Sequence, residues 1–162
     1  MRAFAIALAL GCAGCATADR AVMHHEARPY AENENAMAAV DAALDRAAES
    51  GRHVLLVMGA NWCHDSRGLA GLFETPRFAQ LIASQYELVY VDAGKPREDA
   101  ARNLAVANRF GVERLIGTPN VFILSSDGIL LNDRENVTGW TDAASREEAE
   151  VYDFLVAMAP GR

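Results

Sequence analysis

Residues 54–66 read VLLVMGANWCHDS, an apolar run followed by a bend and a cysteine. The run 54–58 contains no polar residue, which is typical of a strand that is covered on both faces. Gly59 and Asn61 favour a bend after this strand. The apolar residues after Cys63 recur at helical spacing, so the cysteine is predicted to open a helix. A buried strand, a bend and a helix in this order predict an α/β unit with a cysteine at its turn.

Cys63 is a predicted nucleophile because of this position. The first backbone N–H groups of a helix have no partner within the helix, and the helix dipole is positive at that end. Both effects favour the thiolate over the thiol, and the thiolate is the form that reacts. The alternative is a small, buried and unreactive side chain. The place of Cys63 between Trp62 and a helix start favours the reactive thiol.

Composition limits the class of protein. The chain has 162 residues, of which 51% are hydrophobic and 23% are charged, enough for one domain with its own core. Its formal net charge is −7. Because a surface that binds phosphate groups needs an excess of Lys and Arg, we expect no nucleic-acid partner.

Residues 1–18 read as a signal peptide. Arg2 is followed by uncharged residues up to position 18, with an apolar stretch and then small residues. Cleavage after position 18 would release a soluble chain that begins at Asp19. Alternatively, Cys12 or Cys15 would become the lipidated first residue of a bacterial lipoprotein. In both cases Cys63 is the one free thiol left, and we expect a periplasmic protein that contacts the membrane only through such an anchor.

The remaining sequence divides into an irregular lead-in or linker, residues 19–35, and one domain, residues 36–162. Apolar periodicity predicts helices over 36–49, from Cys63 with an interruption at Thr75-Pro76, over 99–110, and from about Ser145 with Glu148 completing a capping box. Strands are predicted over 54–58, 88–92, 120–124 and 129–131, the last two joined by an Asp127-Gly128 hairpin. Strands that alternate with helices indicate parallel neighbours, and the hairpin adds an antiparallel pair. The predicted fold class is therefore α/β, with a central mixed β-sheet flanked by helices on both faces.

Three motifs together resemble the thioredoxin fold family, and more closely its exported bacterial branch of thioredoxin-like proteins. They are Trp62-Cys63-x-x-Ser66 at a helix start, Ile116-Gly117-Thr118-Pro119 before a strand, and the Asp127-Gly128 hairpin before a terminal helix. The resemblance extends over about residues 36–160. It implies that Pro119 is cis and packs beside Cys63. It also implies that Thr118-Pro119 holds the backbone of an extended substrate peptide. Trp62 is predicted to pack over the sulfur and to offer the bound peptide an apolar contact.

The sequence departs from the family at two chemically important positions. Ser66 stands where a dithiol site carries its second cysteine. Val57, six residues before Cys63, stands where the dithiol reductases of the family keep a buried carboxylate. The stretch from Cys63 to Pro119 is also longer than in the smallest members. Because no internal disulfide can close, an outside thiol must release any mixed disulfide that Cys63 forms.

Cys63 and Ser66 are the predicted catalytic residues, and His64 and Asp65 are assigned modulating roles. The Ser66 hydroxyl lies one helical turn away and either donates to the thiolate or is a spectator. A protonated His64 would favour the thiolate, whereas Asp65 would oppose it. Since these neighbours diverge at a helix start and no second Cys or His cluster joins them, neither a metal nor another cofactor is predicted.

Two functions from different classes follow. The first is an exported thiol-disulfide exchange protein that acts through Cys63 alone, by isomerisation, thiol exchange or assisted reduction, on protein or small-molecule thiols and disulfides. The second is a non-catalytic module of the same fold that binds peptides or serves as a scaffold.

Overall fold

The computed structural model of the chain describes residues 25–31 and 35–161. The predicted signal peptide and part of the lead-in, residues 19–24 and 32–34, lie outside these ranges. The helices are α1 (Ala36–Ser50), α2 (His64–Phe73), α3 (Pro76–Gln85), α4 (Leu104–Arg109), α5 (Arg134–Thr138) and α6 (Glu148–Ala157), with a 3₁₀ turn at Ala143–Ser145. The strands are β1 (His53–Gly59), β2 (Tyr86–Asp92) and β3 (Asn120–Leu124).

The three strands form one mixed sheet in the order β2-β1-β3. The central strand β1 is parallel to β2 and antiparallel to β3. The predicted parallel pairing across each helix is therefore wrong for β3. The connection that contains α4 returns the chain to the end of β1, where Asn120 lies opposite Met58, so β3 has to run back along β1.

Helices cover both faces of the sheet, as predicted. On one face, Leu55 and Val57 of β1 pack with side chains of α2, α3 and α6. On the other face, Leu56 and Met58 pack with side chains of α1 and α4. Every residue of β1 after His53 is buried, which explains the continuous apolar run in the sequence.

The predicted helix over 99–110 is shorter than expected, because α4 begins only at Leu104. The Asp99 carboxylate accepts a hydrogen bond from the Lys95 N–H, at 2.5 Å, and so stabilises a turn. Asn103 adopts a left-handed conformation with a φ of 56°, which ends any helical path before α4. Residues 93–103 therefore form a loop beside the end of β2.

The segment after β3 also differs from the prediction. Residues 129–131 form a single antiparallel bridge, Leu124 with Leu130, instead of a fourth strand. The Asn132 side chain bonds the free edge of β3, accepting from the Ile123 N–H at 2.8 Å and donating to the Val121 carbonyl at 2.9 Å. This amide takes two backbone hydrogen bonds that a longer strand would have made.

The predicted capping box at the last helix is wrong. Helix α6 begins at Glu148 with Glu147 as its N-cap, and no side chain caps it. The Ser145 hydroxyl instead donates to the Asp142 carbonyl within the preceding 3₁₀ turn. The five-residue helix α5 was not predicted from the sequence.

Residues 25–31 have no regular secondary structure but pack against α2. We call this segment the strap. Tyr30 of the strap is 2% exposed and belongs to the core on the α2 face. Among the described residues, no helix has the length and apolar character needed to cross a membrane.

Candidate functional site

Cys63 is the N-cap residue of α2, at the end of the short loop that connects β1 to that helix. Its side chain is buried, and its Sγ donates a hydrogen bond to the Thr118 carbonyl at 3.3 Å. The Thr118-Pro119 peptide bond is cis. Because Asn120, just after this proline, is paired with Met58, the sheet register brings the two loops together. Cys63 and Thr118, which are 55 residues apart in sequence, thus form one site.

The N-cap position of α2 is chemically unusual. Most helices place a Ser, Thr, Asp or Asn oxygen there to accept hydrogen bonds from the first turn. Here the position belongs to Cys63, and no side-chain capping bond is made. The first-turn N–H groups are therefore available to a negative charge on the Cys63 sulfur.

Ser66 lies on the face of α2 that is turned toward the sheet. Its Oγ is fully buried and has no hydrogen-bond partner among the described residues, while the Cys63 Sγ bonds Thr118. A Cβ added at Gly59 would come within 2.8 Å of this Oγ. The Ser66 side chain is therefore packed against the end of β1.

His64 and Asp65 each have a hydrogen-bond partner outside α2. The Asp65 carboxylate accepts a hydrogen bond from the Ala144 N–H at 3.0 Å and so attaches α2 to the 3₁₀ turn. The His64 Nδ1 lies 2.7 Å from the Glu26 carboxylate of the strap. Each neighbour of the cysteine thus has a separate partner outside α2.

Trp62 directly precedes Cys63 and is exposed. Its indole N–H donates to the Gly94 carbonyl at 2.9 Å. A cavity of about 170 Å³ is lined by Trp62, Gly94, Thr118 and the exposed Ile116, among others. The site therefore offers an apolar surface next to the carbonyl that bonds Cys63.

The strap contributes residues to the site that the sequence analysis missed. The Asn61 amide makes two hydrogen bonds to the Tyr30 backbone, donating to its carbonyl at 2.7 Å and accepting from its N–H at 3.2 Å. The guanidinium groups of Arg28 and Arg67 both donate to the Asn61 carbonyl. The bend before Cys63 is held in this way from both the strap and α2.

Glu26 is the second anchor of the strap. Its carboxylate accepts hydrogen bonds from the Arg67 Nε, at 2.7 Å, and from His64. The hydrogen bonds from Arg67 and then from His64 hold the pKa of Glu26 below its usual value. Glu26 is consequently ionised at neutral pH and carries its charge next to the first turn of α2.

Tyr30 and Gly71 complete the docking of the strap. The Tyr30 hydroxyl donates to the Ser66 carbonyl at 3.2 Å, and burial raises the pKa of Tyr30 well above its usual value. A Cβ at Gly71 would lie 1.4 Å from the His25 carbonyl oxygen, so only glycine allows this close approach. No local pattern could have revealed these contacts, because their partners lie more than 30 residues apart in sequence.

The side chains that could ligate a metal form no candidate metal centre within the part of the chain that the structure describes. No group of three or more His, Cys, Asp or Glu side chains converges there. Cys63 is the free cysteine of this part of the chain. The chemistry available to the site is therefore that of one thiol, a backbone carbonyl, a helix start and the His64–Glu26 pair.

Comparison with known proteins gives two kinds of match. The sequence model of a family described as thioredoxin-like matches residues 35–126. Among solved structures, a disulphide isomerase from Xylella fastidiosa Temecula1 is 30% identical, with a TM-score of 0.72, over 82% of this chain and 97% of that one. The C-terminal domain of Neisseria meningitidis DsbD, in its reduced form, is 24% identical over 65% of this chain and 94% of that one, with a TM-score of 0.42. No curated protein matches the chain.

Proposed function

Because the chain belongs to the thioredoxin-like family, we propose that it is an exported thiol-disulfide exchange protein that works through Cys63 alone. The observation that carries the proposal is the place of the Cys63 sulfur. It occupies the uncapped start of α2 and lies 3.3 Å from the Thr118 carbonyl, next to the cis proline. Similarity to a disulphide isomerase supports exchange chemistry in general.

The reaction follows from these groups. The Cys63 thiolate, stabilised by the first-turn N–H groups of α2, attacks one sulfur of a substrate disulfide. A new sulfur–sulfur bond forms, the old one breaks, and the second substrate sulfur leaves as a thiolate. Trp62 and the Thr118 backbone hold the substrate chain beside the sulfur. Since Ser66 cannot supply a second sulfur, a thiol of the substrate or a small thiol then attacks the mixed disulfide and releases Cys63.

Export is part of the proposal because it agrees with a reactive Cys63. In an oxidising compartment, a single thiol without a disulfide partner is best explained by its reactivity. Arg2 and the apolar stretch after it support a signal peptide over 1–18. Either a soluble protein or one anchored through Cys12 or Cys15 is compatible with this reading. Intact mass of the protein recovered from the cell envelope distinguishes a chain that begins at Asp19 from a lipidated one.

The test is reactivation of scrambled ribonuclease in a glutathione buffer. The wild-type protein should accelerate recovery of ribonuclease activity, and Cys63→Ser should reduce the rate to that of the buffer alone, because the hydroxyl cannot exchange with a disulfide. Ser84→Ala, on the exposed face of α3, is the matched control and should keep the wild-type rate. A Cys63→Ser variant as active as wild type would refute the proposal.

The apolar surface around Trp62 and Ile116 favours a second candidate, a peptide-binding module without catalysis. Such a module would not need the sulfur. It should bind an extended peptide equally well before and after Cys63→Ala, and it should not accelerate ribonuclease reactivation. An exchange protein should instead lose both its activity and its covalent adducts in the same variant.

A further inference from the structure

The resemblance to the thioredoxin fold family implies that its dithiol members move protons with a buried carboxylate. Val57 occupies the position of their buried carboxylate and is itself buried among apolar side chains. The proposed exchange step still releases a thiolate, and exchange is slower when the leaving thiol has a high pKa. A group that gives this sulfur a proton would therefore accelerate the reaction, and its position has to be sought outside the core.

His64 is the titratable side chain directly after the nucleophile, at the first position of α2. Its side chain is 69% exposed, so it faces the solvent from which a substrate arrives. Its Nδ1 is held 2.7 Å from a Glu26 oxygen. Because an ionised carboxylate only accepts hydrogen bonds, the Nδ1 carries a hydrogen, and the Nε2 is the ring nitrogen left to exchange a proton.

Glu26 is itself held in place. The Arg67 Nε donates to its other oxygen at 2.7 Å, and the strap around it is fixed by the Ala27 N–H, which donates to the Arg67 carbonyl at 3.1 Å. In nucleophilic catalysis a third group commonly orients the residue that moves the proton, and Glu26 is placed to orient His64 in this way. The third group here comes from the strap, which lies before the residues matched by the family model.

We propose that His64, oriented by Glu26, is the proton donor for the sulfur that leaves when Cys63 attacks a disulfide. The Cys63 thiolate bonds one sulfur, the disulfide bond breaks, and the electron pair goes to the other sulfur. The Nε2–H of the imidazolium then gives its proton to that sulfur. The product is a neutral thiol and a neutral imidazole that still donates through Nδ1 to Glu26. In the release step, the same imidazole takes the proton of the incoming thiol, so the cycle balances.

The charged groups around His64 agree with this role. Glu26 stabilises the imidazolium, whereas Arg67, which shares the same carboxylate, opposes it. The Asp65 carboxylate accepts a hydrogen bond from the Ala144 N–H of the 3₁₀ turn. His64 is thus the catalytic residue in the proposal, and Glu26 is a positioning residue that acts through it.

The test compares two neutral disulfides in single-turnover reactions with the reduced protein. Dithiodipyridine releases a resonance-stabilised group that takes its proton on the ring nitrogen, so its sulfur needs no proton donor. Bis(hydroxyethyl) disulfide releases an alkyl thiolate whose sulfur takes the proton. His64→Gln should slow the reaction with the alkyl disulfide by about tenfold or more and leave the dithiodipyridine rate within about twofold. Glu26→Gln should show the same selectivity with a smaller loss.

Glu74→Gln, at the other end of α2, removes an exposed carboxylate without touching His64 and should change neither rate. Equal losses with both disulfides in His64→Gln, or no loss with either, would overturn the role of His64. The exchange proposal itself would fail differently, since wild type would then react with neither disulfide faster than a free thiol does. The two failures are thus distinguishable in one set of rates.

Discussion

Cys63 and Ser66 lie one helical turn apart on α2, yet their side chains have different surroundings. The Cys63 sulfur reaches the Thr118 carbonyl, whereas the Ser66 Oγ is enclosed near Gly59 without a hydrogen-bond partner among the described residues. A buried hydroxyl without a partner costs free energy. The position of Ser66 therefore tolerates a less polar group of similar size, and sulfur is such a group.

Ser66→Cys is expected to create a dithiol site that can close. Residues three apart at a helix start have Cα atoms within the range that a disulfide spans. We expect the oxidised variant to lose reactivity toward a thiol-specific alkylating reagent at both cysteines, which mass spectrometry measures. Ser66→Ala should keep a single reactive thiol. A Ser66→Cys variant in which both cysteines still react fully with the alkylating reagent after mild oxidation would contradict the placement of residue 66 one helical turn from Cys63.

At the scale of elements, the strap and α2 form one structural unit. Hydrogen bonds from the strap reach α2 and the bend before it, at Asn61, His64, Ser66 and Arg67. The sequence identified the start of α2 from its apolar spacing and its cysteine. It could not identify the strap, because HEARPYA has neither helical nor strand periodicity and its contacts depend on the tertiary fold.

Gly71→Ala tests this unit. The added methyl group would meet the His25 carbonyl oxygen, a backbone atom that can move only with the strap. Alanine raises helix propensity by about 1 kcal/mol over glycine, so α2 by itself would become more stable. We nevertheless expect a lower free energy of unfolding in urea and faster hydrogen exchange at the Ala27 N–H. A variant that is more stable than wild type, with unchanged exchange over 25–31, would show that the strap does not dock as described.

At the scale of the whole molecule, the pattern of apolar residues was sufficient to predict the helical layers on both faces of the sheet. It was not sufficient to predict the direction of every strand. The continuous run of β1 predicted a strand buried on both faces, and two core layers cover it. The direction of β3 depends on where a long loop returns the chain, which is a tertiary property. The candidate site could likewise be predicted only in part. Cys63, Thr118 and Pro119 were predicted from their motifs, whereas Glu26 and Asn61 could be identified only from the folded structure.

The central claim is that the fold turns Cys63 into a nucleophile for disulfides. The most direct measurement is the second-order rate constant for mixed-disulfide formation by the reduced protein, compared with that of an unfolded peptide spanning residues 58–68. The peptide has the same neighbours of the cysteine but lacks α2, the Thr118 loop and the strap. We expect the folded protein to react about tenfold faster or more. A rate equal to or below that of the peptide would contradict the claim, because the fold would then bury the thiol without activating it.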